Sequence, residues 1–294
     1  MTNLGFVGLG LMGSRIVKRL LEAGHHVAGH NRTRTKAENL IQAGMQWRNT
    51  PREVAEAADI TFSMVSDTAA LSSIADGPEG VLAGLASGKI YVDMSTVSPR
   101  LIRDLAQRVK ASGAQMLEAP VSGSVPAVES GALVIFVGGE ASALEKVRPV
   151  FERLGQKIIH VGGSGQAVSM KIAINLNLAS QLLALFESVL LAERSGIPRA
   201  VALDSLLNSV AASPAMKYRA PFILKMPDEV WFNVAMMQKD LQLALELGRE
   251  LGVPLFSVAL ANEMLSAAKA MGYREQDFAV LFKVLERVSG MEEV

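Results

Sequence analysis

The sequence predicts an α/β protein, with a doubly wound, mostly parallel sheet followed by an all-helical domain. Two observations lead to this fold class. Through the first half of the chain, short β-rich runs alternate with amphipathic helical segments, as is typical of parallel sheets with crossover helices. After Gly165, periodic apolar helices continue to the end and no convincing strand remains. We therefore predict a sheet domain at 1–162 and a helical domain at 163–294.

Seven β-rich runs are the predicted strands, at 3–8, 26–30, 58–65, 89–94, 114–120, 132–139 and 157–163. Amphipathic helices are predicted between several of them, at 12–23, 35–43 and 99–111. In the second domain the apolar periodicity predicts helices at 166–195, 199–210, 234–251, 254–271 and 275–288, with prolines marking the connections. The alternation of strands and helices thus ends where the long helix begins.

Composition and charge exclude several classes of function. Lysine plus arginine equals aspartate plus glutamate at 29 each, so no basic field for nucleic acid is expected. The chain has no cysteine, which excludes disulfides, thiol catalysis and cysteine-ligated metals and is compatible with a cytoplasmic protein. The four histidines have no metal-ligand spacing, so no metal site is expected.

The N-terminus lacks the features of a signal peptide. The most apolar stretch, residues 170–192, is interrupted by polar or charged side chains that include Lys171, Asn175, Asn177, Gln181 and Glu187. A membrane-spanning helix rarely tolerates so many. We therefore expect a soluble, cytoplasmic protein with no membrane partner.

A glycine motif follows the first predicted strand and opens the first helix. Gly8, Gly10 and Gly13 form G-x-G-x-x-G, with Leu9, Leu11 and Met12 between them. Such glycines permit a tight turn, close approach of the backbone to a pyrophosphate, and close packing of helix on strand. A merely flexible glycine turn is the alternative. The position at the start of a βαβ unit favours a Rossmann-type dinucleotide site.

The end of the second predicted strand indicates which dinucleotide binds. NAD-selective folds usually carry a carboxylate there, for the ribose 2′-hydroxyl. This chain has Asn31, Arg32 and Thr33 instead. Arg32 is suited to pair with a 2′-phosphate, although a solvated loop arginine is the alternative. We predict NADP as the preferred cofactor and NAD as a possible one, because a missing carboxylate permits both.

Four further stretches follow the glycine motif in order, namely DMSTVSP (93–99), EAPVSGSVPAVESGALVIFVGG (118–139), GSGQAVSMKIAIN (163–175) and KDLQLALELG (239–248). With GLGLMG they resemble the β-hydroxyacid dehydrogenases, a family that includes 3-hydroxyisobutyrate dehydrogenase and tartronate semialdehyde, glyoxylate and succinic semialdehyde reductases. The resemblance covers nearly the whole chain. It implies an oxidoreductase that acts on a short β-hydroxy acid or semialdehyde.

The resemblance also implies roles for residues around the cofactor and substrate. It places Met64, Val65, Ser66, Ser95 and Thr96 beside the cofactor, at the carboxyl edge of the sheet. Helix capping before Pro99 is the alternative for the last two.

The turn at Ser122, Gly123 and Ser124 is suited to bind a substrate carboxylate through N–H and hydroxyl donors. A turn that is simply rich in small residues is the alternative. The family usually has a second glycine where this chain has Ser124.

Lys171 and Asn175 lie in an apolar run that predicts a helix buried on most sides. They are one turn apart, so both can face the same cleft. Lys171 matches the family's catalytic lysine, and an ammonium group there would give its proton to the forming alkoxide. Asn175 would hold the substrate or the lysine.

By the same resemblance Lys239 would close over the cofactor and substrate, and Asp240 would orient the site. A surface pair is the alternative for these two residues.

Two other functions remain open. Imine reductases share the fold and the glycine motif but generally lack the lysine. A dinucleotide-binding module without catalysis, acting as an oligomeric scaffold, is the third hypothesis. The partners predicted are a small carboxylate substrate and a second copy of the chain, in a homodimer or homotetramer.

Overall fold

The computed structural model describes residues 2–291 and divides the chain into two compact units, Met1–Lys171 and Ile172–Val294. The first unit contains the sheet, and the second contains helices. The long helix thus contributes its first residues to the first unit. The boundary predicted between residues 162 and 163 stays a prediction.

The sheet of the first unit has nine strands in the order β3-β2-β1-β4-β5-β6-β8-β7, with β9 beside β8. Their bounds are β1 Leu4–Val7, β2 Val27–His30, β3 Gln46–Trp47, β4 Ile60–Ser63, β5 Ile90–Asp93, β6 Gln115–Glu118, β7 Val121–Ser122, β8 Leu133–Gly139 and β9 Gly155–Gly162. The first six strands are parallel, and β8 runs antiparallel to β6 and β7. The predicted doubly wound sheet is confirmed, and the short strands β3 and β7 are additions to it.

Helices connect these strands. They are α1 Leu11–Glu22, α2 Glu38–Gln42, α3 Pro51–Ala57, α4 Thr68–Ala75, α5 Val81–Gly84, α6 Pro99–Ala111, α7 Val125–Ser130 and α8 Ala141–Leu154, with a 3₁₀ turn at Arg34–Ala37. Helices α1 and α6 match two predicted helices closely. The predicted helix at 35–43 is split instead into the 3₁₀ turn and α2.

The core of the first unit lies between the sheet and its helices. Phe6 of β1 stacks on Phe62 of β4 with ring centroids 6.1 Å apart, and Phe151 of α8 meets Phe62 edge-on at 6.2 Å. All three side chains are fully buried. Each such aromatic side chain contributes a few kcal/mol of burial free energy, about 1.5–3. This packing holds the ends of β1 and β4 side by side.

The helices of the second part are α9 Gln166–Arg194, α10 Arg199–Leu207, α11 Pro214–Arg219, α12 Pro221–Leu224, α13 Val234–Leu251, α14 Phe256–Ala270 and α15 Leu281–Val288, with a 3₁₀ turn at Phe278–Val280. Two of the prolines predicted to mark connections, Pro214 and Pro221, are instead the first residues of short helices. Proline is compatible with that position because its missing N–H has no helical acceptor there.

Helix α9 alone, within residues 2–291, has the length and apolar composition of a membrane-spanning segment. The core helix of a soluble protein meets the same criteria, and 44% of its most apolar window is buried. The prediction of burial on most sides is wrong for its first turns, because Met170 is 41% exposed and Ala173 is also exposed.

Candidate active site

The glycine loop has the shape that an anion-binding turn requires. Gly8 has φ +97°, and a Cβ there would lie 2.3 Å from the carbonyl oxygen of Met64. At Gly13 a Cβ would lie 2.1 Å from the carbonyl oxygen of Gly8. A Cβ at Gly10 would meet no atom within 4 Å, so the loop is open on that side. These observations fit the three roles expected for dinucleotide-binding glycines.

Asn31 joins the end of β2 to the glycine loop. Its Oδ1 accepts a hydrogen bond from the N–H of Leu9 at 3.1 Å, and its Nδ2 donates to the carbonyl oxygen of Thr33 at 3.0 Å. The side chains of Arg32 and Thr33 are exposed beside this connection. The residues predicted to select the nucleotide therefore lie next to the glycine loop, and the Arg32 side chain is exposed.

Met64, Val65 and Ser66 follow β4 at the carboxyl edge of the sheet, as predicted. The N–H of Val65 donates to Ser95 Oγ at 3.0 Å, and that hydroxyl donates to Asp93 Oδ1 at 2.8 Å. Ser95 is only 2% exposed, so its hydroxyl is used inside the protein. Thr96 is half-buried and is the more accessible of the two. Helix α6 takes Ser98 as its N-cap, so neither residue caps it.

The predicted carboxylate-binding turn follows β7. Ser122 ends that strand, Gly123 has φ +116°, and Ser124 precedes the first residue of α7. A Cβ at Gly123 would lie 2.6 Å from the Cβ of Ala127. Glycine is thus required in this turn, which the small-residue pattern alone did not establish.

Lys171 lies on α9, four residues after Ala167 and four before Asn175. Its side chain is half-buried, so it is accessible to solvent or a ligand and yet partly shielded. Residues spaced by four lie on the same face of a helix. Lys171 belongs to the first compact unit, together with the glycine loop, and Asn175 belongs to the second.

Within the second unit, Asp240 of α13 connects two of the predicted site residues. Asn175 donates from Nδ2 to Asp240 Oδ2, and the Nζ of Lys239 forms an ion pair with Asp240 Oδ1 at 2.7 Å. The Asp240 and Asn175 residues are 2% and 3% exposed. A solvated surface pair is therefore excluded for Lys239 and Asp240. The carboxylate fixes the amide of Asn175 and balances the charge of Lys239.

Sequence reasoning missed a buried polar network at the ends of β4, β5 and β6. Asp93, which is fully buried, accepts from the hydroxyl of Ser63 at 2.6 Å as well as from Ser95. The hydroxyl groups of Ser63 and Tyr91 are 2.8 Å apart. Burial and the charge of Asp93 raise the pKa of Tyr91 well above its ordinary value, so this phenol stays protonated. The signal in the sequence was a carboxylate that directly follows apolar residues at the end of each of two strands.

Glu118 is the second missed carboxyl group. It ends β6 directly beside Asp93 in the strand register and is 2% exposed. Burial raises the pKa of Glu118 to about 7, Asp93 adds to the rise, and backbone N–H groups at the start of α9 oppose it. No group of three or more histidine, aspartate or glutamate side chains within residues 2–291 is arranged to hold a metal ion.

Two family models match the chain, and together they cover residues 3–285. Residues 3–162 match the NAD binding domain of 6-phosphogluconate dehydrogenase, and residues 163–285 match the NAD-binding domain of NADP-dependent 3-hydroxyisobutyrate dehydrogenase. Both matches agree with the order of domains predicted from the sequence.

Individual relatives point in the same direction. Glyoxylate/succinic semialdehyde reductase 2 of Arabidopsis thaliana is 31% identical over 99% of this chain and 81% of its own. The structure of Mycobacterium tuberculosis 3-hydroxyisobutyrate dehydrogenase with L-serine is 28% identical, with a TM-score of 0.87 over 97% of this chain and 99% of its own. These relatives are oxidoreductases by name.

A second group of relatives has a different name. Cytokine-like nuclear factor N-PAC of Xenopus tropicalis is 37% identical over 96% of this chain, which spans only 53% of that protein. The chain thus spans about half the length of these relatives. Imine reductase structures share the fold. The one from Myxococcus stipitatus is 22% identical, with a TM-score of 0.65 over 96% of this chain and 99% of its own. The matches to both domain models and the reductase relative establish that this chain belongs to the β-hydroxyacid dehydrogenase family of NAD(P)-dependent oxidoreductases.

Proposed function

We propose that the protein interconverts a short β-hydroxy acid and its semialdehyde with NADP(H), and that Lys171 is the acid–base group. The observation that carries this proposal is the half-buried Lys171 on α9, in the same compact unit as the glycine loop. An ammonium group in such a position can stabilise a developing alkoxide and then donate its proton. A dinucleotide-binding module without chemistry has no need of that lysine.

The residues fit the cofactor that the family uses. Backbone N–H groups at the start of α1 would hold the pyrophosphate, because Gly10 leaves open space above the loop. NADPH, when bound, supplies the hydride for the carbonyl carbon. Lys171 supplies the proton for the carbonyl oxygen, so the products are the hydroxy acid and oxidised cofactor. In the opposite direction the neutral amine accepts the hydroxyl proton.

The donors after β7 are proposed to bind the substrate carboxylate. Ser122 and Ser124 are both half-buried on either side of the positive-φ Gly123, so their hydroxyl and amide groups can reach a ligand. In the second unit, Asn175 is proposed to hold the substrate, and the buried carboxylate of Asp240 fixes its amide.

A panel of semialdehydes tests the proposed activity with NADPH and with NADH. We expect turnover of at least one short semialdehyde, and a much lower kcat/KM for its methyl ester, which removes the negative charge that the Ser122 turn is proposed to bind. Equal kcat/KM for acid and ester would contradict the carboxylate site. Turnover of cyclic imines in place of semialdehydes would favour the imine reductase alternative.

Arg32 is proposed to select NADPH by pairing with its 2′-phosphate. We expect Arg32→Ala to raise the KM for NADPH by roughly 10-fold or more, the value of a lost charge-assisted pair, while the KM for NADH changes little. Arg48→Ala is a matched control, because it removes an arginine near the end of β3, outside the Asn31–Thr33 segment. A similar rise for both cofactors in Arg32→Ala would show that Arg32 does not select the 2′-phosphate.

We also propose a cytoplasmic homodimer or homotetramer. Apolar side chains of the second unit support the assembly, because Leu251, Val253, Phe256 and Leu260 are 52–84% exposed at the end of α13 and the start of α14. Exposed large apolar side chains so close in sequence favour association with another chain. The molar mass in solution, measured by light scattering, tests the assembly, and cell fractionation tests the location.

A further inference from the structure

Glu118 occupies a position that the proposed chemistry has not used. Its Oε1 accepts a hydrogen bond from the N–H of Ala167 at 2.7 Å. Ala167 lies in the first turn of α9, four residues before Lys171. The first N–H groups of a helix have no acceptor within the helix. Glu118 therefore supplies one from a neighbouring strand and ties the start of α9 to the sheet.

The site around Glu118 is built to hold this carboxyl group. A Cβ at Gly138, its partner on β8, would lie 2.2 Å from Glu118 Oε1, so glycine leaves the space that the side chain fills. Glu118 Oε2 is buried and has no hydrogen-bond partner among the described residues. An unsatisfied buried oxygen costs free energy, so the cap on α9, which uses Oε1 alone, does not account for the burial of Oε2.

We propose, on the basis of the proposed function, that Glu118 is a positioning residue for Lys171: it anchors the first turn of α9 and, when ionised, stabilises the ammonium form of the lysine. Lys171 follows the anchored Ala167 by one helical turn, a rise of about 6 Å. Helical side chains point back towards the N-terminus. A Lys171 side chain that follows this tendency would extend towards the turn that Glu118 anchors, where the charge of Glu118 would act on its ammonium group.

Ionisation of Glu118 falls in the range in which such an enzyme works. Burial raises its pKa to about 7, and Asp93 on β5 adds to the rise. Other charged or titratable groups lie on the elements around Glu118. Arg103 of α6 lies against Gly165, and His160 of β9 bonds to the carbonyl oxygen of Gly139. Lys146 of α8 lies at the opposite end of β6, on Gln115. Both states of Glu118 are thus populated near neutral pH.

Glu118→Gln tests the proposal, since the amide oxygen can still accept from Ala167 but the charge is gone. We expect the pKa of Lys171 to fall by about 0.5–1 unit, the effect of losing one nearby opposite charge. In the proposed reduction, the kcat of Glu118→Gln should then decline at a correspondingly lower pH than that of wild type. At pH values above both pKa values of Lys171, the kcat of the variant should be about 3–10-fold below that of wild type, with little change in KM. Glu140→Gln, which removes an exposed carboxylate, should leave the profile unchanged.

The pKa of Lys171 can be measured without a substrate, by competitive acetylation with acetic anhydride at a series of pH values and mass spectrometry of the Lys171 peptide. An identical pKa of Lys171 in wild type and Glu118→Gln would overturn the proposal, even if Lys171→Ala abolishes turnover. A shifted titration in a protein that reduces no semialdehyde would instead support the link between these residues and contradict the proposed function.

Unfolding provides a second measurement that needs no activity. Because the pKa of Glu118 is raised in the folded state, its contribution to stability is present below the unfolded pKa and is lost as the pH rises towards 7. The denaturation midpoint of wild type should therefore fall relative to that of Glu118→Gln between about pH 4.5 and 7. A constant difference over this range would show that Glu118 does not titrate there, and would overturn the proposal.

Discussion

Lys171→Ala should lower the kcat for semialdehyde reduction by about 10²–10⁴, the usual contribution of a positioned proton donor. Binding of NADPH should be nearly unchanged, because the glycine loop and the Arg32 segment, which would hold the phosphates, are intact. Stopped-flow measurement of single turnovers and fluorescence titration with NADPH separate the two effects. A normal kcat in Lys171→Ala would place the chemistry elsewhere, and Lys239 would be the next candidate.

Lys171→Arg is the sharper variant for the same prediction. A guanidinium group keeps the positive charge but barely releases a proton. If the lysine acts as an acid, Lys171→Arg should be nearly as slow as Lys171→Ala. If charge alone were sufficient, the arginine variant would recover most of the rate. Lys269→Ala is a suitable control for loss of a lysine, because Lys269 bonds to Gln238 on α13 and has no predicted role in the site.

The pH dependence of the two directions should be opposite. Reduction needs the ammonium form of Lys171, so its kcat should decline as the pH rises through the pKa of the lysine. Oxidation needs the neutral amine and should gain over the same range. An unchanged profile in Lys171→Ala would contradict the assignment, because the titrating group would then be a different residue.

The glycine turn and the longer strands could be predicted because each depends on residues that are close together in the sequence. The glycine turn was predictable because Gly8, Gly10 and Gly13 lie within six residues: no Cβ fits at Gly8 or Gly13, and Gly10 leaves the loop open. Strands β1 and β4 are short β-rich runs that end at loops, so their positions followed from the pattern. The two-residue strands β3 and β7 were missed because a bridge of that length forms only when its partner is already in place.

The missed parts of the site depend on contacts between distant residues. Asp93 and Glu118 become neighbours only through the register of β5 and β6, and Glu118 meets Ala167 across 49 residues of chain. Each carboxyl group alone resembles the polar end of a strand. Asp240 was predicted to orient the site, but its bond to Asn175, 65 residues away, was visible only in the structure.

The second unit contains a buried ion pair beside the segment 225–233, which connects α12 to α13 without regular secondary structure. Arg219 and Asp277 are 2% and 1% exposed, and Arg219 Nη1 lies 2.6 and 2.7 Å from the two carboxylate oxygens of Asp277. Asp277 also accepts from the N–H of Phe232 at 3.1 Å. The guanidinium group packs against the rings of Tyr218, Phe222, Trp231 and Phe278, 4.8–5.9 Å from their centroids. The pair therefore fixes the segment that leads into α13.

Asp277→Ala should reduce the free energy of unfolding of the second unit by about 3–5 kcal/mol, because it leaves the Arg219 charge buried without its partner. Trp231 lies against Arg219 and reports on this unit, and Trp47→Phe removes the only other tryptophan. Urea unfolding followed by tryptophan fluorescence in that background measures the loss. Glu275→Ala is the matched control: it breaks the exposed pair with Arg274 and an exposed hydrogen bond from Asn233 Nδ2, and should cost about 0–1 kcal/mol.

The double variant Arg219→Met/Asp277→Leu separates charge burial from packing. Replacing both ions by apolar side chains removes the unpaired charge, so it should recover much of the stability lost in Asp277→Ala. The recovery should be incomplete, because leucine cannot accept the N–H groups of Phe232 and Ala279 that Asp277 holds. A loss in Asp277→Ala no larger than that in Glu275→Ala would show that water reaches Arg219 in solution. The segment before α13 would then be held by its aromatic contacts and backbone hydrogen bonds instead.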